Sequence, residues 1–183
     1  MSRRRTALVL LIVLVIAGCS TSETAALRAP LCGSDGTRTT LLMAQSTPGA
    51  TLIPCIEPDA LPATWTLEGM KIDSAHSQLA FIADMTSGTP KRLEVLLGDT
   101  CDVSGAVAVP SDEQGTKRFE RVDNLDVGYA GERYYVFDGG CVTYRFDARV
   151  EGWTGFVHDA SQAVTFIARA DVARLADVPL DQL

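Results

Sequence analysis

The chain has 183 residues, with 16 basic and 23 acidic side chains, a net charge of −7 and 46% hydrophobic residues. That length suits one domain with its own core, and the acidic balance excludes a binding mode built on nucleic-acid phosphates, which need clustered Lys and Arg. Five cysteines against two histidines direct attention to disulfides and thiol modification ahead of metal.

The first 19 residues read as an export segment. Arg3, Arg4 and Arg5 form a positive start, residues 7–17 are unbroken and apolar, and Ile16-Ala17-Gly18-Cys19 places small residues before a cysteine. The apolar run is about half the roughly 20 residues that span a bilayer, so it predicts a cleaved leader over a transmembrane helix. This layout resembles the signal peptide of bacterial lipoproteins. The resemblance implies that the Cys19 thiol carries diacylglycerol, that residues 1–18 are removed, and that the lipid attaches the protein to the membrane. Ser2-Arg3-Arg4-Arg5 loosely resembles a twin-arginine signal, but Thr6 and Ala7 stand where that motif favours Phe and Leu, so the general secretory route is favoured. With Arg3, Arg4 and Arg5 removed, 13 basic residues face 23 acidic ones, a charge of −10. Anionic headgroups repel such a surface, leaving the lipid to hold it. Residues 19–29 follow as a polar tether, and 30–183 as a single extracytoplasmic domain.

Four cysteines remain in the exported part. Their even number predicts disulfides, and without a Cys-x-x-Cys pair zinc is disfavoured. Of three connectivities, Cys32–Cys55 and Cys101–Cys141 close the smaller loops; each stabilises the fold by roughly 3–4 kcal/mol on the chain-entropy model. Between Pro30 and Pro62, five prolines argue for an extended, disulfide-pinned region with one short edge strand near residues 51–53. Period-two alternation then predicts strands over 79–84 and 91–97, joined by a turn at residues 86–90, and over 117–123, 132–137 and 142–149. Asp138-Gly139-Gly140 supplies positive-φ residues for a tight hairpin. Helical spacing returns at 153–162, a strand is expected over 164–168, and a second short helix over 171–177; one continuous helix from 154 to 177 is the alternative. The fold class is therefore α+β, a mostly antiparallel sheet domain with one or two short C-terminal helices, stapled by disulfides. Similar hexapeptides at 46–51 and 111–116 leave open a duplication with halves 30–100 and 101–183.

Candidate chemistry is sparse. His158, Asp159 and Ser161 are hydrolase residue types at unsuitable spacing, and His76 lies in a polar, turn-like cluster. Asp112-Glu113 and Asp123/Asp126 lack the ligand density of a calcium loop. No catalytic residue, metal or cofactor is expected. The one candidate surface joins Arg118, Arg121, Arg133 and Arg145 with Tyr134, a basic, aromatic-edged patch suited to an anionic cell-wall polymer or another envelope protein. In the ordinary alternative, the aromatics fill the core and the arginines pair with Asp147, Glu120 and Glu132. Leu61-Pro62 before Trp65, Cys101-Asp102-Val103-Ser104-Gly105-Ala106 and Gly139-Gly140-Cys141-Val142-Thr143-Tyr144-Arg145-Phe146 resemble segments of actinobacterial envelope proteins without assigned activity. The preference for Arg over Lys accords with this resemblance, which implies a lipid in the outer leaflet of the cytoplasmic membrane. The expected function is a membrane-anchored, non-catalytic binding or accessory module. A membrane-tethered hydrolase and a structural subunit of an envelope complex are the alternatives.

Overall fold

A computed structural model describes residues 28–83, 89–126 and 128–183. The expected export segment, Cys19, most of the expected tether and residues 86–88 of the expected turn lie outside the described residues. The domain is a seven-stranded, wholly antiparallel sheet with one face covered by helices and a two-stranded ribbon. The ribbon pairs β1 (Leu52–Ile56) with β9 (Val164–Ala168). The sheet contains β2 (Trp65–Ile72), β3 (His76–Ala83), β4 (Lys91–Gly98), β5 (Val107–Val109), β6 (Lys117–Asn124), β7 (Tyr129–Phe137) and β8 (Gly140–Ala148), in the order β2-β3-β4-β8-β7-β6-β5. Because β4 pairs with β8, the two halves of the chain share one sheet. Among the described residues no helix is long and apolar enough to cross a membrane.

The alternation read from sequence is the alternation observed. Val142, Tyr144, Phe146 and Ala148 are buried on the inner face, beside Leu93, Val95 and Leu97 of β4. Aromatic rings fill the space beneath the covering layer. Phe156 of α2 (Trp153–Ala163) packs against Trp65 at 4.9 Å and Phe146 at 6.1 Å, while Tyr135 meets Tyr144 and Phe166 edge-on. The Tyr144 hydroxyl donates to the Val164 carbonyl at 2.9 Å, joining the sheet to the ribbon. Helix α3 (Arg169–Ala176) follows β9 directly; the β-branched Val164-Thr165 break the helical alternative.

Three expectations are corrected. The proline-rich region contains a ten-residue helix, α1 (Thr37–Ser46), in the proline-free gap between Pro30 and Pro48, with Thr40, Met43 and Ala44 buried at helical spacing. The expected short edge strand is the five-residue β1, and β2 and β5 complete the two edges of the sheet. At the β7–β8 hairpin only Gly139, at φ 68°, has positive φ. A Cβ there would also strike the Gly49 carbonyl, so the turn needs glycine for both conformation and space. Cys32–Cys55 and Cys101–Cys141 are both disulfides, which indicates an oxidising, extracytoplasmic compartment.

Arg169, at the β9–α3 junction, holds the helical layer together. Its guanidinium donates to the carbonyls of Ala50 at 2.8 Å, Ala44 at 3.0 Å and Thr47 at 2.7 Å. A cation at the C-terminus of α1 also opposes the helix dipole. Replacing Arg169→Ala removes the guanidinium donor from the Ala44 and Ala50 carbonyls and leaves Thr47 only its bond from the Ala50 N–H; it is expected to cost about 2–3 kcal/mol, read as a lower urea midpoint with both disulfides intact.

Candidate functional site

Strand β7 determines which charged side chains meet. Its neighbours place Glu120 opposite Arg133, Arg121 opposite Glu132 and Arg145 opposite Glu132. Alternation then sends Arg118, Glu120 and Arg133 to the inner face, and Arg121, Glu132 and Arg145 to the outer. The four arginines therefore do not form one patch. Arg118 and Arg133 lie on the face opposite Arg121 and Arg145, and each is paired with a carboxylate. That corrects the expected arginine–aromatic patch, because side chains of opposite parity cannot share a sheet face.

On the inner face, Glu120 Oε1 accepts from Arg133 Nε at 2.9 Å and Arg118 Nη2 at 2.6 Å. Arg133 is 5% exposed, bonds Ser161 Oγ of α2 and lies 5.5 Å from the Phe146 ring centroid. Arg118 also meets Asp112 at 3.0 Å, and the Tyr135 hydroxyl donates to Asp112 at 3.0 Å. Burial raises the Tyr135 hydroxyl pKa to about 12. Glu113 next to Asp112 accepts from Thr165 at 3.4 Å, and burial raises its carboxyl above the ordinary value. This network ties the β5–β6 turn, β7, α2 and β9 together.

The outer face carries a groove of about 390 Å³, lined by His76, Leu96, Arg121, Tyr134, Thr143 and Arg145. Glu132 is its anchor point. It accepts from Arg145 Nε at 2.8 Å, from Arg121 Nη2 and from the Tyr134 hydroxyl. Burial alone would raise its pKa. The bonds from Tyr134 and Arg145 and the charges of Arg121 and Arg145 outweigh that effect and hold the carboxyl below its ordinary value of 4.5. The Tyr134 hydroxyl is held well above its own, first by burial and then by the Glu132 carboxylate. The Cys101–Cys141 disulfide forms one wall by pinning residues 99–106 against the sheet. Thr143 Oγ1 lies 3.0 Å from Cys101 Sγ, and Arg121 Nη1 donates to the Ser104 carbonyl at 3.3 Å. The Arg121 guanidinium, 5.6 Å from the Tyr134 ring centroid, covers that ring and leaves Tyr134 3% exposed.

His76 opens β3 at one end of this groove, where the sequence suggested a solvated loop. Its Nδ1 is 3.0 Å from Asp73 Oδ1, which also accepts the backbone N–H groups of Ala75 and His76. Those contacts, led by the Ala75 bond, lower the Asp73 pKa. The carboxylate thus shapes the β2–β3 turn and fixes the orientation of the imidazole. His158 is exposed on α2, and Ser161 is engaged by Arg133. Among the described residues neither histidine is hydrogen-bonded to a hydroxyl or thiol, and no three His, Cys, Asp or Glu side chains are grouped as metal ligands. The groove residues Leu96, Thr143 and His76 were missed from sequence, although Thr143 belongs to the outward set that alternation on β8 defines. Comparison with protein-family models, curated proteins and solved structures finds no match to this chain.

The two arginine pairs differ in burial, so their losses should differ. Arg133→Ala removes the cation beneath the covering layer and is expected to destabilise by about 3 kcal/mol. Arg145, 52% exposed in its side chain, should cost no more than about 1 kcal/mol on truncation; thermal melts of the two variants test this contrast. Glu132 provides a pH test. Its lowered folded-state pKa gives stability that is fully present above 4.5 and lost as pH falls through the folded value. Glu132→Gln should therefore be less stable than the parent at neutral pH, with the gap closing in acid.

Proposed function

We propose that this protein is a lipid-anchored cell-envelope lipoprotein, modified at Cys19, whose domain is a non-catalytic binding or accessory module using the groove on the uncovered sheet face. The observation that carries this reading is the groove itself, whose lining combines the half-exposed Arg145 with its partner Glu132, the oriented imidazole of His76 and the apolar Leu96, with a covalently pinned wall. Such a surface suits an extended envelope partner carrying anionic groups, either a cell-wall polymer or another envelope protein. The two disulfides support the extracytoplasmic setting, and the charge balance argues against nucleic acid as a partner.

Two measurements test the parts separately. Metabolic labelling with a fatty-acid analogue should mark the full chain and leave Cys19→Ala unmarked; equal labelling removes the anchor. Purified full chain should be retained on isolated anionic cell-wall polymer, and Leu96→Trp with Arg145→Ala should abolish retention while lowering the melting temperature less than Arg133→Ala does. Unchanged retention by that variant removes the groove as the binding site.

A further inference from the structure

We propose that the domain rests on the lipid bilayer through the corner formed by α1, α3 and the C-terminal turn at Leu180–Gln182, which turns the groove away from the membrane. This rests on the lipid anchor proposed above. The first argument is the length and exit point of the anchor. Eight residues separate Cys19 from Arg28, so the link has a reach of about 30 Å at full extension. A domain of this size is roughly 40 Å across. The folded chain begins in the helical layer: the Arg28 carbonyl accepts from Thr39 of α1, and the Pro30 carbonyl accepts the Ile56 N–H of β1. The groove lies on the opposite face of the sheet, so it can meet the bilayer only if the tether runs around the domain at nearly full stretch.

The second argument is what that corner exposes. Among the described residues five large apolar side chains are exposed, and two of them, Leu175 at 40% and Leu180 at 55%, lie here. Gln45 of α1 donates to the Gln182 carbonyl, six residues, or about 9 Å along the helix, from the Thr39 contact that fixes Arg28. The same outward stripe of α1 carries exposed Arg38 and half-buried Leu41 and Leu42. Around it Arg28, Arg38 and Arg174 stand against Asp35, Asp171, Asp177 and Asp181, a nearly balanced set in a domain of charge −10. The corner therefore escapes most of the repulsion that keeps the rest of the domain from the headgroups. The other exposed apolar residues, Val107, Val122 and Leu125, lie at the β5–β6 edge, across four strand spacings from β4, or about 19 Å.

Hydrogen exchange of the acylated full chain on vesicles of phosphatidylethanolamine and phosphatidylglycerol, compared with Cys19→Ala and the same vesicles, tests the orientation. Amides in 38–45 and 174–182 should exchange several-fold more slowly in the acylated chain, while 96–102 and 141–145 should exchange alike in both. Leu175→Glu with Leu180→Glu should keep the acyl mass and lose the protection. An acylated chain protected in the groove segments, protected at 107–122, or protected nowhere overturns the docking surface and leaves the anchor standing. Absence of an acyl mass on Cys19 overturns the anchor, and the orientation with it.

Discussion

The alternation of β7 is the constraint on which the two faces of this domain depend. Within four residues it sends Glu132 and Tyr134 outward and Arg133 and Tyr135 inward. Each face then solves the same electrostatic problem in the same way, with one glutamate held between two arginines: Glu120 between Arg118 and Arg133, and Glu132 between Arg121 and Arg145. The settings differ. Beneath α2 an unpaired guanidinium would carry a large desolvation cost, so Glu120 and Ser161 are conditions for burying Arg133 at all. On the outer face water screens Arg145, and its pairing orients the side chain more than it stabilises the fold.

Much of this was legible in the residues. The strands with clean period-two patterns follow from spacing, the β-branched Val164-Thr165 favoured a strand between two C-terminal helices over one continuous helix, and the disulfides take the favoured one of three possible connectivities, that with the smaller loops. The separation of the arginines was equally legible. A two-residue turn at Asp138-Gly139 pairs Arg133 with Tyr144 and Glu132 with Arg145, so Arg133 and Arg145 must point to opposite faces. Arg118 and Arg121, three residues apart on one strand, must do the same. Grouping them by sequence proximity missed what parity already decides.

Other features depend on contacts that local pattern does not encode. Helix α1 has a weak apolar stripe and is flanked by prolines, and the Ala44 and Thr47 carbonyls at its C-terminal end accept from Arg169, more than 120 residues away in sequence. An isolated reading of residues 30–62 has no access to that donor, so the prolines dominate it. The groove was hidden for a similar reason. His76, Leu96 and Thr143 come from three strands, and adjacency arises only from the order β3-β4-β8, in which consecutive hairpins are interrupted and β8 inserts beside β4.

The two disulfides serve these two layers separately. Cys32–Cys55 joins the segment before α1 to β1 in the covering layer. Cys101–Cys141 joins residues 99–106 to β8 on the open face. In both cases the cysteine on a strand is almost fully buried while its partner lies on a segment without regular structure, so the bond passes the rigidity of the sheet to a stretch that has little of its own. On the open face Arg121 also bonds the Ser104 carbonyl and attracts Asp102, and Thr143 contacts the sulfur itself. Reduction would release the covalent tie and weaken the sulfur contact at once, leaving the loop to exposed polar interactions with Arg121. An oxidising compartment is therefore more than the place where this chain folds: it keeps the wall of the groove in position.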